Sequence, residues 1–178
     1  MIVNKVGGKL QVDDVLNVRA EPAASAEKIG SLGLGEIVEV YDTARDGAWS
    51  KIAFREAAGW VSSAYLDPLA TGFASNGMVL GLSCSGNEPF WGLDFRDGLN
   101  ATFQREAQTS DAPLKNVAPS QNFWRAAIGF QVLDYQGLLT KGACSDGASD
   151  RPYGWTVHLI DTESDGLVLS GCCSIATQ

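Results

Sequence analysis

The sequence is short of positive charge, of histidine and of long apolar runs, and each shortage removes a class of protein. It has 13 Lys and Arg against 21 Asp and Glu, a formal net charge of −8. A nucleic-acid binder needs a basic face to neutralise phosphates, and electrostatic docking on an anionic bilayer needs the same. The deficit is shared by both halves: residues 1–68 carry 7 basic against 10 acidic side chains, and residues 69–178 carry 6 against 11. No apolar stretch reaches the ~20 residues of a membrane-spanning helix, so no transmembrane segment is expected. Nor is there a basic start followed by an apolar run and a small-residue cleavage site. Met1-Ile2-Val3-Asn4-Lys5 runs almost straight into strand-like sequence. The chain is therefore expected to be either cytosolic or the mature part of an exported protein whose signal has been removed.

Glycine, by contrast, is plentiful, with 20 residues. The pairs Gly7-Gly8, Asp46-Gly47, Asn76-Gly77, Asp97-Gly98, Asp146-Gly147 and Asp165-Gly166 punctuate the chain, and in each the second position tolerates positive φ. Between them lie short alternating stretches such as Ile37–Tyr41 and Trp155–Ile160. Strand periodicity dominates and amphipathic helical periodicity is weak, so the fold class is all-β. Short helical pieces are expected only near Ser62–Leu66 and Ser120–Arg125. A polar, Gly-containing connection suggests two domains, residues 1–68 and 78–178, joined by a linker over 69–77.

The 4 cysteines are Cys84, Cys144, Cys172 and Cys173. No Cys-x-x-Cys pair is present, so a ribbon-type zinc site lacks its usual clamp, and neither metal nor cofactor is expected. An even set confined to one β-rich domain reads as two disulfides in an oxidising compartment rather than reduced buried thiols.

Residues 10–67 hold about five short strands with tight turns. Leu16-Asn17-Val18-Arg19-x-x-Pro22, Ile29-Gly30-x-Leu32-x-x-Gly35, Val38-Glu39-Val40, Gly47-x-Trp49-x-Lys51-Ile52 and Gly59-Trp60-Val61-x-x-x-Tyr65-Leu66 follow in order. This series resembles the bacterial SH3 (SH3b) family. The resemblance implies a small, partly open SH3-like β-barrel and a non-catalytic targeting module of envelope or exported proteins, of which several bind peptidoglycan peptides. Tyr41, Trp49 and Tyr65 are candidates for an exposed groove that stacks on a ligand. Trp60 reads as core filling, and Arg19 as a structural residue at a strand end.

The second domain opens on Cys84-Ser-Gly-Asn-Glu-Pro-Phe-Trp91, carries Cys144-Ser-Asp-Gly-Ala-Ser-Asp-Arg151 in its middle and ends on Gly171-Cys-Cys173. This combination resembles an uncharacterised bacterial envelope domain of the Cys-x-Gly-x-Glu-Pro-Phe-Trp and Gly-Cys-Cys type, found in exported proteins and lipoproteins. A second small antiparallel β-barrel or sandwich, stapled by disulfides, is expected. Neighbours in a strand point to opposite faces, so Cys172 and Cys173 should each take a different partner from Cys84 and Cys144. The spacing leaves open which takes which.

No catalytic residues emerge. Ser83-Cys84-Ser85-Gly86 faintly echoes the nucleophile region of cell-wall cysteine peptidases, but Asn87-Glu88-Pro89 reads as extended where a helix is needed. The lone His158 lies mid-strand. Glu88, Asp94, Asp146 and Asp150 could supply a carboxylate pair for sugar hydrolysis, although turn formation is the commoner role of an Asp such as Asp146. The expected function is non-catalytic cell-envelope binding, in the periplasm or outside the cell, with cell-wall peptide or glycan as ligand. A cell-wall hydrolase and a protein that binds or inhibits an envelope protein are the alternatives.

Overall fold

A computed structural model describes residues 2–69, 72–121, 126–163 and 166–175. The chain divides into two compact units, the first built mainly from residues 1–71 together with Ser149–Pro152, the second from Gly72–Ala148 and the segment that starts at Tyr153.

The first unit has strands β1 (Ile2–Val6), β2 (Val15–Arg19), β3 (Lys28–Gly33), β4 (Ile37–Thr43), β5 (Trp49–Phe54), β6 (Ala57–Ser62) and β7 (Leu66–Pro68). They form one antiparallel sheet in the order β3-β2-β6-β5-β4-β1-β7. β1 lies ahead of the motif series yet sits between β4 and β7 in the sheet. Inward positions alternate along each strand, and Val6, Leu16, Val18, Leu32, Val38, Val40, Ile52 and Val61 form the core. Leu10, Ile29, Phe54, Tyr65 and Leu66 pack against it. The expected helix near Ser62–Leu66 is a single 3-10 turn over Ser63–Tyr65.

The second unit has β8 (Leu82–Asn87), β9 (Phe90–Phe95), β10 (Asn100–Arg105), β11 (Gln108–Pro113), β12 (Lys115–Pro119), β13 (Ala127–Val132), β14 (Tyr135–Cys144), β15 (Tyr153–Asp161) and β16 (Val168–Ile175). Successive hairpins give the order β11-β10-β9-β8-β16-β15-β14-β13-β12. Pairing of β8 with β16 brings the two ends of this segment together, and only Leu114 separates β11 from β12 in sequence. The result is a nearly closed antiparallel barrel. Its interior holds Phe95 edge-on to Phe130, ring centroids 5.2 Å apart, and a row of Trp91, Phe103 and Tyr135. The helix expected over Ser120–Arg125 falls largely on 122–125, outside the described residues.

All six glycine-second turn pairs have φ between 61° and 90° at that glycine, Gly8, Gly47, Gly77, Gly98, Gly147 and Gly166, the conformation for which the missing Cβ is needed. Asp97 shows how such a turn is fixed. Its carboxylate accepts from the Asn100 side-chain amide and from the backbone N–H groups of Asn100 and Leu99. These bonds, the Asn100 amide foremost, favour the ionised form and hold its pKa below the usual aspartate value. Among the described residues no helix is long and apolar enough to cross a membrane.

Candidate ligand-binding groove

The groove of the first unit arises from strand alternation on β2, β5 and β6. Leu16 and Val18 of β2 turn into the core, so Val15, Asn17 and Arg19 face outward. Ser50 and Ile52 of β5 turn inward, leaving Trp49 and Lys51 on the other face. On β6 the inward residues are Gly59 and Val61, so Trp60 and Ser62 face outward. The cross-strand register sets Trp49 opposite Ser62, and Trp60 between Lys51 and Arg19. Tyr65 closes one side from the 3-10 turn, and the segment from Lys9 to Asp14 borders another.

The depression has a volume of about 490 Å³ and is lined by Trp49, Tyr65, Asn17, Arg19, Asp14 and Lys9 among others. Trp49, at the start of β5, and Tyr65, which packs against the core from the 3-10 turn, are each half-buried. The wall is chemically mixed, two aromatic rings beside a guanidinium, an ammonium and a carboxylate. Arg19 also donates from Nη1 to the Ala26 carbonyl at 2.7 Å. Its strand-end role is thus real, and that bond fixes the guanidinium at the groove.

Of the three aromatic candidates, the structure brings Trp49 and Tyr65 together. Tyr41 is not among the residues lining this groove; it is half-buried on β4 and its hydroxyl donates to the Glu39 carboxylate. Trp60 corrects the reading of a core filler: it lies on the outer face and is only partly buried, because the inward positions of β6 belong to Gly59 and Val61. Asp14, Asn17 and Lys9 were missed, since they are polar residues of ordinary appearance that only the pairing of β2 with β6 brings beside Trp49.

In the second unit the cysteines form two disulfides, Cys84–Cys173 and Cys144–Cys172. Adjacent thiols do take separate partners. Cys84 and Cys173 are direct cross-strand partners among the inward residues of β8 and β16, while Cys172 faces the other way. Cys84 therefore has no thiolate to offer as a nucleophile. His158 shares a hydrogen bond between Nδ1 and the Ser170 hydroxyl, 2.9 Å, across the β15–β16 pair. Asp146 is a turn former: its carboxylate accepts from Ala148 N–H and the Tyr153 hydroxyl, and its carbonyl accepts from the Asn87 amide.

The first unit is thus a small antiparallel β-sheet domain with an aromatic-lined groove on its outer face. Residues 14–67 match the family model of the bacterial SH3 domain, within the 10–67 span on which the motif series lies. No protein of curated function is significantly similar to the chain. The two disulfides and the bacterial SH3 domain together point to a location outside the cytoplasm.

Proposed function

We propose that this is a non-catalytic binding protein of the bacterial cell envelope, periplasmic or secreted, whose first unit holds cell-wall peptide in the groove of Trp49, Tyr65 and Arg19. The observation that carries the reading is the composition of that groove within a bacterial SH3 domain. A stem peptide presents both carboxylates and amines, and the groove sets Arg19 and Lys9 against Asp14 beside two rings able to cover apolar side chains. The net charge of −8 argues against attraction to anionic wall polymers, which leaves local contacts to supply the affinity.

Co-sedimentation with purified peptidoglycan tests the proposal. Wild-type protein should pellet with the wall without releasing soluble fragments. Trp49→Ala and Tyr65→Ala should each weaken binding about tenfold, the size of one lost aromatic anchor, with melting curves confirming that both variants fold. Equal pelleting of wild type and both variants would place the site elsewhere. No pelleting of wild type would mean that the ligand is not the wall.

A further inference from the structure

The outer face of β8, β9 and β10 carries a depression of about 370 Å³, and we infer that it is a binding site for a neutral oligosaccharide. It lies wholly in the second unit and is independent of the first-unit groove. The register places Ser85, Gly92 and Gln104 in one cross-strand row and Ser83, Asp94 and Thr102 in the next. Inward positions of the same strands belong to Cys84, Leu93 and Phe103, so these rows face away from the barrel core. At one end stands Phe90, 76% exposed, and the Glu106 turn borders the same depression.

Gly92 forms the floor, and nothing in the fold requires a glycine there. A Cβ added at Gly92 would meet nothing closer than 3.7 Å, the Gln104 Oε1 atom, and its backbone is not in the left-handed region. A glycine inside a strand weakens it, and one that neither turn nor packing explains leaves room for a ligand to approach the backbone closely. Around that floor the chemistry suits a sugar. Among the described residues, the side chains of Ser85, Asp94, Gln104 and Glu106 have no hydrogen-bond or ion-pair partner within the protein. They are chiefly acceptors, matched to hydroxyl donors. The Phe90 ring offers an apolar face for the C–H side of a pyranose. Among the described residues no Lys or Arg lines the depression, and two carboxylates would repel an anionic glycan.

Calorimetric titration of the intact chain with cellotetraose, maltotetraose and chitotetraose, and with an oligogalacturonate as the anionic control, tests the inference. At least one neutral tetrasaccharide should bind in the micromolar-to-millimolar range, and the anionic one should not. Phe90→Ala should weaken that binding about tenfold, equivalent to one aromatic contact. Gly92→Val should abolish it while leaving the melting temperature unchanged or raised, because a valine suits a strand interior better than a glycine. Leu138→Ala, an exposed residue on β14, should change nothing. Absence of binding by every neutral probe would overturn the inference. So would preference for the anionic probe, or neutral binding that survives both Phe90→Ala and Gly92→Val.

Discussion

Cys172 and Cys173 are adjacent in sequence and both nearly inaccessible, at 2% and 0% exposure, yet their bonds differ in surroundings. Cys173 meets Cys84 among the inward residues of the barrel. Cys172 turns outward to Cys144, which is half-buried, with its sulfur 3.7 Å from the Gly171 carbonyl. The bonds span 89 and 28 residues. In the chain-entropy model these loops correspond to about 4.5 and roughly 3.5 kcal/mol. The shorter loop lies inside the longer one, so the second closure constrains a chain already restricted by the first, and the joint effect is less than the sum. Reduction requires access of a thiolate to sulfur, which the two sites offer unequally. Graded reduction should therefore free Cys144 and Cys172 first. Alkylation and peptide mapping check this, with unreduced protein expected to show no free thiol. Release of Cys84 and Cys173 first would mean that the barrel opens before its outer bond is reached.

At the scale of elements, the Cys-x-Gly-x-Glu-Pro-Phe-Trp and Gly-Cys-Cys strings are two sides of one packing arrangement. Trp91 of β9 lies over Gly86 of β8 and Gly171 of β16. A Cβ on Gly86 would fall 2.2 Å from the indole Nε1, and one on Gly171 would fall 2.2 Å from the Ser85 carbonyl oxygen and 2.8 Å from the indole ring. Backbone cannot yield as a flexible side chain can, so Gly171→Ala should destabilise the barrel by roughly 1–3 kcal/mol, the usual cost of overpacking. Gly142→Ala, which meets nothing within 4 Å, is the neutral comparison in urea denaturation. The strings themselves were legible in the sequence, but the reason for their glycines was not, because it depends on which strands pair. The same divide runs through the rest of the molecule. Turns with glycine in second position could be read directly, since only backbone freedom is involved. The hairpin turns at Arg55, Glu106 and Leu133, with φ of 54°, 55° and 49°, gave no such signal, because an ordinary side chain occupies the left-handed position. Trp49 and Tyr65 stood out as aromatics, whereas Asp14 and Asn17 became groove residues only through the sheet order. Asp94 was legible only as one of four carboxylates and Phe90 only as part of the Cys84–Trp91 string, while Gln104 gave no signal at all; it takes the register of β8, β9 and β10 to set the three around Gly92.

At the scale of the whole molecule, each unit contains everything that a folding domain needs. Every strand from β1 to β7 pairs within residues 2–68, and the first core draws only on residues from Val6 to Leu66. Both disulfides lie in the second unit, whose nine strands pair only among themselves. Two cores with separate hydrogen-bond ladders should unfold as separate cooperative transitions. The first should not depend on redox conditions, and the second should depend on them strongly. A fragment of residues 1–70 is therefore expected to be soluble, to show a β-type spectrum and to unfold cooperatively at the same midpoint with or without reductant. In the intact chain, reductant should lower the midpoint of one transition and leave the other in place. Against a typical domain stability of about 5–15 kcal/mol, loss of both cross-links removes a large fraction of what holds the barrel folded. Calorimetry of the chain and the fragment, each with and without reductant, supplies the measurement. An insoluble or unfolded fragment, or one transition that shifts as a whole on reduction, would show that the two units depend on each other for stability.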